Sequence, residues 1–138
     1  MSAASATPPP SKPQALLHLA QARQNHDLYQ QLKREGKHLD WAVTVLFYTA
    51  LHLIQAYLVE LAATGFDIPK DHEDRDRYVR RKLTPIFSDY SLLQTRSNWA
   101  RYQPNKPKPT VDLVQEYQDL QFARIVAHLR QLGVRLEQ

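Results

Sequence analysis

Apolar side chains recur along this chain with the three-to-four spacing of helices, and nowhere do they alternate with period two for long enough to suggest a strand. Glycine and proline break the pattern into four or five segments. The first predicted helix starts near Gln14, just after Pro13, and runs to Glu35, with Leu16, Leu17, Ala20, Leu28 and Leu32 expected on its buried side. Gly36 is a natural stop, because glycine enters the left-handed conformation that closes a helix without steric cost. A second helix is expected from Asp40, as N-cap, to about Ala63, and from Trp41 to Val59 it carries no Lys, Arg, Asp or Glu. One imidazole, His52, sits inside that run.

Further along, Phe66 to Asp71 reads as a loop, and a third helix is expected from His72 to Leu83 with Tyr78, Val79 and Leu83 inward. Thr84-Pro85 either restarts a helix or kinks one long one, and Ile86, Phe87, Tyr90, Leu93 and Trp99 continue the apolar stripe. Three prolines between Gln103 and Thr110 make that segment an exposed connector. The last helix is expected to be capped by Thr110, favoured by Asp112 and Glu116 near its positive end, and stopped by Gly133. Val114, Tyr117, Ile125, Leu129 and Leu132 are its core positions. Short connections between such segments predict an all-α, up-and-down bundle of four to five helices.

Nineteen uncharged residues approach the length that spans a bilayer. Thr44, Tyr48, Thr49, His52, Gln55 and Tyr57 within the run, with a mean hydropathy of −0.54 for the chain, argue instead for a helix enclosed by its neighbours, so no membrane partner is expected. Residues 2 to 13 hold no large apolar side chain and are expected to form a disordered tail, leaving 14 to 138 as one helical domain. The tail lacks the basic start and apolar stretch of a signal peptide, and the chain has no cysteine for disulfides or thiolate chemistry; a cytoplasmic setting is the simple expectation.

Charge changes the picture by where it lies. The chain is formally +4, but Arg77 to Lys108 holds eight basic residues against the single acid Asp89, so that stretch is +7 and the remainder −3. A localised basic stripe is the footprint of a protein that meets polyanions.

Two further patterns sharpen this. The uncharged helix reads Phe47-Tyr48-Thr49-Ala50-Leu51-His52 and is followed by His72 before the next helix; later come Tyr90, Leu93, Arg96 and then Ala100-Arg101-Tyr102. In order and spacing these resemble the HEPN (higher eukaryotes and prokaryotes nucleotide-binding) domains, over about residues 14 to 133. The resemblance implies an all-α bundle, often a homodimer, with members that act as metal-independent ribonucleases of defence or toxin-antitoxin systems and others that bind nucleotides or a partner protein. In the ribonucleases it implies an Arg, a polar residue and a His five to seven positions on. Arg96-Ser97 supplies the first two here, but no Arg in this chain has a His at that spacing.

The candidate catalytic residues are therefore His72 and His52, an imidazole being the side chain that moves protons near neutral pH. Candidates for holding RNA or nucleotide are Arg75, Arg96, Asn98, Arg101, Tyr102, Lys106 and Lys108, with Trp99 among them, since guanidinium clamps phosphate and aromatic faces stack on bases. The acids around His72 suit a helix start, and no His pair with helical ligand spacing accompanies them, so neither metal nor cofactor is expected. Three functions are open on this sequence: a non-catalytic binding module, a divergent endoribonuclease, and a purely protein-binding subunit.

Overall fold

A computed structural model describes residues 7–137, all helix and connector, as a bundle of five helices, the last of which is continuous through a π turn and is labelled α5 (Val111–Tyr117) and α6 (Ala123–Gln131) on either side of it. The first, α1, is Pro13–Glu35, and Gly36 closes it at φ 69°, its amide bonding the carbonyls of Leu32 and Lys33. Only Lys37 and His38 remain before α2, Leu39–Leu61, so the chain doubles back at once and α1 lies along α2. That tight turn moves the cap. His38, at φ 53°, takes the N-cap position expected of Asp40, which sits inside the first turn and accepts the Trp41 amide at 3.0 Å.

The buried side of α1 also differs from the expected one. Ala15, Leu19, Ala22 and Tyr29 face the core, Leu32 is half-buried, and Leu16, Leu17, Ala20 and Leu28 are exposed. Small residues mark this face: Ala15 and Ala22 are fully buried where α1 lies along α2, and small side chains let two helix backbones approach closely. Leucine content pointed to the wrong side.

In the centre of the bundle, α2 touches α1, α4, α5 and α6. It is long and apolar enough to cross a bilayer, yet 78% of its most apolar window is buried by the neighbouring helices. Its buried hydroxyls are satisfied within the helix, Thr44 donating to the Asp40 carbonyl and Thr49 to that of Val45. The helix ends at Leu61, two residues short of the expected Ala63, and Thr64 caps a 3-10 turn, Gly65–Asp67, instead.

Asp71 caps α3, His72–Lys82, by accepting the Asp74 amide at 2.8 Å. Val79 and Leu83 are buried and Tyr78 is half-buried. Thr84-Pro85 neither caps an α-helix nor kinks one; it forms a 3-10 turn, Thr84–Ile86, that separates α3 from α4, Phe87–Tyr102. Thr110 caps α5, Val111–Tyr117, as expected, by accepting the Leu113 amide. A five-residue π turn, Gln118–Phe122, joins α5 to α6, Ala123–Gln131. It is tied from α1: the Tyr29 hydroxyl donates to Gln118 Oε1 at 2.7 Å, and Lys33 Nζ donates to the same oxygen. Buried Val114, Tyr117, Phe122, Ile125 and Leu129 complete the core, with Leu132 half-buried at its edge.

Residues 1 to 6 of the expected tail lie outside the described residues. Residues 7 to 12 run against the bundle: Pro10 is buried, and the amides of Ser11 and Lys12 donate to Glu60 Oε1. Gly133, at φ 93°, leaves no room there for a side chain, since a Cβ would stand 2.6 Å from the Pro8 carbonyl oxygen.

Candidate functional site

Tyr48, His52 and Gln55 stand four and three residues apart on α2, and so share one helix face. Each is met by a side chain from a different helix. His18 of α1 approaches His52, Nδ1 to Nδ1 at 3.0 Å, with the rings stacked 5.2 Å apart. From α3, Arg75 Nε donates to Gln55 Oε1 at 3.0 Å, while its Nη1 lies 3.1 Å from His72 Nδ1. From α4, Arg101 Nη1 donates to the Tyr48 hydroxyl and Nη2 donates to Asn98 Oδ1 at 2.8 Å. Its guanidinium also lies over the rings of Tyr48 and Tyr102, at 5.2 and 5.1 Å.

All three imidazoles have their charged form disfavoured. Burial, then the neighbouring His18, then the Arg75 charge push His52 from its ordinary value down to about 4. His18 is lowered by burial and by Arg75. Burial and Arg75 lower His72 as well, with Arg101 adding to them against the opposing pull of Asp76 and Asp71. A neutral ring can accept a proton only on a free lone pair, and here the hydrogen bonds restrict which is free. Guanidinium only donates, so the His72 Nδ1 lone pair is engaged by Arg75 and the ring proton sits on Nε2. His72 thus presents a donor outward, which suits holding an anion better than abstracting a proton. One Nδ1 of the His18–His52 pair must likewise carry a proton and the other a lone pair, so at most one of the two rings can be charged.

Among the described residues neither Arg75 nor Arg101 forms an ion pair with a carboxylate; both donate to neutral acceptors, Gln55 and His72 for one, Tyr48 and Asn98 for the other. The two carboxylates near His72 are engaged elsewhere: Asp76 accepts from the Tyr90 hydroxyl at 3.0 Å and from Gln94, and Asp71 accepts from the Asp74 amide. Arg101 Nε is buried without an acceptor. Two uncompensated guanidiniums beside a donor imidazole make an anion-binding arrangement. No cluster of three or more His, Cys, Asp or Glu side chains that could hold a metal occurs among the described residues.

The remaining predicted binding residues do not join this cluster. Arg96 lies five residues before Arg101, about 140° around α4, and faces the other way. Its Nε donates to the Tyr117 hydroxyl at 3.0 Å and its guanidinium stacks 3.9 Å over the Trp99 ring. Lys106 Nζ lies 4.9 Å from the same ring, and Lys108 pairs with Asp40 at 3.2 Å. These residues line a separate cavity of about 260 Å³ between α4, the proline connector and α5. The group expected as one is therefore two: His72, Arg75, Asn98, Arg101 and Tyr102 near the α2 face, and Arg96, Lys106 and Lys108 around Trp99.

His18 and Gln55 were not among the expected site residues. Gln55 follows from the spacing on α2 once Tyr48 and His52 are placed on one face, whereas His18 comes from another helix and has no signal in its own neighbourhood. No protein-family model, curated protein or solved structure matches this chain. Fold and cluster define a class only: an all-α five-helix protein with a polar, cationic, histidine-bearing face on its central helix.

Proposed function

We propose that this chain is a HEPN-like module that binds RNA or nucleotide without cleaving it, acting as a regulatory component of a prokaryotic defence or toxin-antitoxin type system. The observation that carries the reading is the pair Arg75 and Arg101, free of carboxylate partners and flanking a His72 whose Nδ1 lone pair is already engaged. Two positive groups and an outward N–H suit a phosphate. His52, at about 4, cannot hold a proton at neutral pH to serve as a general acid, which weighs against a ribonuclease built on it. The motif supports the same side, because Arg96 lacks a His at the spacing the HEPN ribonucleases use.

Purified protein incubated with mixed RNA in EDTA is expected to bind it and leave it intact. With Arg75 and Arg101 meeting phosphates, log K against log salt should slope near −1.4, about 0.7 for each cation, on a single strand. Arg101→Met is expected to weaken binding and flatten that slope by about 0.7. Cleavage that disappears in His72→Ala or His52→Ala would instead establish the divergent endoribonuclease. Absence of any salt-dependent binding would leave a purely protein-binding subunit.

A further inference from the structure

The cavity around Trp99 has a composition of its own. Three cations line it, Arg96, Lys106 and Lys108, and no carboxylate does; Val43, Pro107, Pro109 and Leu113 supply apolar walls. Lys108 is held away by its ion pair with Asp40, but Arg96 and Lys106 have no carboxylate partner among the described residues. The two differ in mobility. Arg96 is fixed at both ends, its Nε by Tyr117 and its plane by stacking on Trp99. Lys106 sits in the proline connector on a flexible stem, and its ammonium rests over the indole ring with no hydrogen bond from Nζ to the described residues. Trp99 is half-buried, so the ammonium over its ring is held modestly, and a base stacked on the same face is held at least as strongly.

We infer that the Trp99 cavity binds one nucleotide unit, its base stacked on the indole in place of the Lys106 ammonium, with Arg96 and the displaced Lys106 taking its phosphate. The volume sets the limit. At about 260 Å³ the cavity falls below the roughly 300 to 1,000 Å³ of pockets that enclose drug-sized ligands, so it admits one ring system with its attached anion and not a stretch of strand. Charge selects against a neutral aromatic ligand, since an occupant without an anion would desolvate two cations with nothing in return. The unit can be a free mononucleotide or one nucleotide of a single strand. Choice of the ligand class rests on the nucleic-acid reading above; the site itself rests on this cavity, which lies apart from the Arg75–Arg101 cluster.

Trp99 reports on its own occupancy once the other tryptophan is removed, and Trp41, 53% exposed, can be replaced. In the Trp41→Phe chain, adenosine monophosphate or a short oligoadenylate is expected to change Trp99 emission saturably, while inorganic phosphate is not. A response to the mononucleotide identifies a free nucleotide as a ligand, and a response to the oligonucleotide alone identifies a strand. Arg96→Met should weaken either response by at least about tenfold. Lys106→Ala lies in an exposed connector, leaves the fold undisturbed, and should weaken it by a few-fold. Arg101→Met should leave it in place. The inference is overturned if neither probe perturbs Trp99 at millimolar concentration, or if phosphate alone acts as strongly as the nucleotide. RNA binding with a silent Trp99 overturns this site and leaves the Arg75–Arg101 reading standing; a saturable Trp99 response with Arg101→Met unaltered in RNA binding does the reverse.

Discussion

The contact between His18 and His52 makes the stability of this protein depend on pH over a window that ordinary carboxylates do not reach. His52 titrates near 6.5 in an unfolded chain and near 4 in the fold, because burial, His18 and Arg75 all oppose its charge. Between those values the unfolded chain binds a proton that the folded chain does not. Stability therefore falls as pH drops from about 6.5 towards 4, and is fully present above that range. A lowering from 6.5 to about 4 corresponds to about 3 kcal/mol. The ring is only half-buried, so solvent screening reduces this to about 1 to 2 kcal/mol. His18, also lowered, adds in the same direction. Urea unfolding at pH 7.5, 6.5, 5.5 and 4.5 on the natural chain and on His52→Gln isolates the effect, since His26 and His72, both lowered, contribute equally to the two. The natural chain should lose about 1 to 2 kcal/mol more than the variant on going to pH 4.5, and a proton-carbon NMR titration should show the His52 ring titrating well below 6.5. Parallel stability curves, or a His52 that titrates near 6.5, would refute the burial and pairing argued here.

Three other outcomes follow from packing, each readable in a thermal or urea melt. Leu17→Ala should change stability by less than about 0.5 kcal/mol, because Leu17 is 62% exposed, whereas Leu19→Ala should cost about 2 to 5 kcal/mol by opening a cavity against α2. Equal costs would restore the leucine-rich face of α1 to the core. Gly133→Ala combines a φ of 93° with a Cβ driven to 2.6 Å from the Pro8 carbonyl, so a loss of about 1 to 3 kcal/mol is expected, while Gly65→Ala, in open space, should be neutral. Tyr90→Phe removes the donor to Asp76 from a fully buried ring and should cost about 1 to 1.5 kcal/mol.

How much of this was legible in the sequence depends on whether the information is local. Gly36, Asp71, Thr110 and Gly133 act on their own neighbours, and each marks its boundary where expected. Asp40 failed as a cap because the preceding turn, set by Gly36, leaves only two residues before the helix must begin. The face of α1 failed for a different reason: the buried side is the one that lies along α2, and it is marked by alanines, small side chains that let two helix backbones approach closely. In the site, His72 with Arg75 and Tyr48 with His52 follow from helical spacing, as does the divergence of Arg96 from Arg101. His18 meeting His52 does not, because spacing along one helix says nothing about which residue of another helix will face it.

A helix buried on most sides can carry a polar face only if each group on it is answered from outside. On α2 the answers come one from each of three helices: His18 for His52, Arg75 for Gln55, Arg101 for Tyr48. The cluster therefore ties the bundle together at the same time as it gathers positive charge, and a substitution within it acts on stability as well as on binding. The two effects separate by burial. Gln55 is 4% exposed, so Arg75→Met leaves its amide oxygen without a donor in the interior, and about 1 to 3 kcal/mol of stability should go with it. Tyr48 is only half-buried, and water can replace Arg101 at its hydroxyl. Arg101→Met should thus weaken RNA binding at little cost to the fold, Arg75→Met should weaken both, and equal melting curves for the two variants would mean that Gln55 finds another partner.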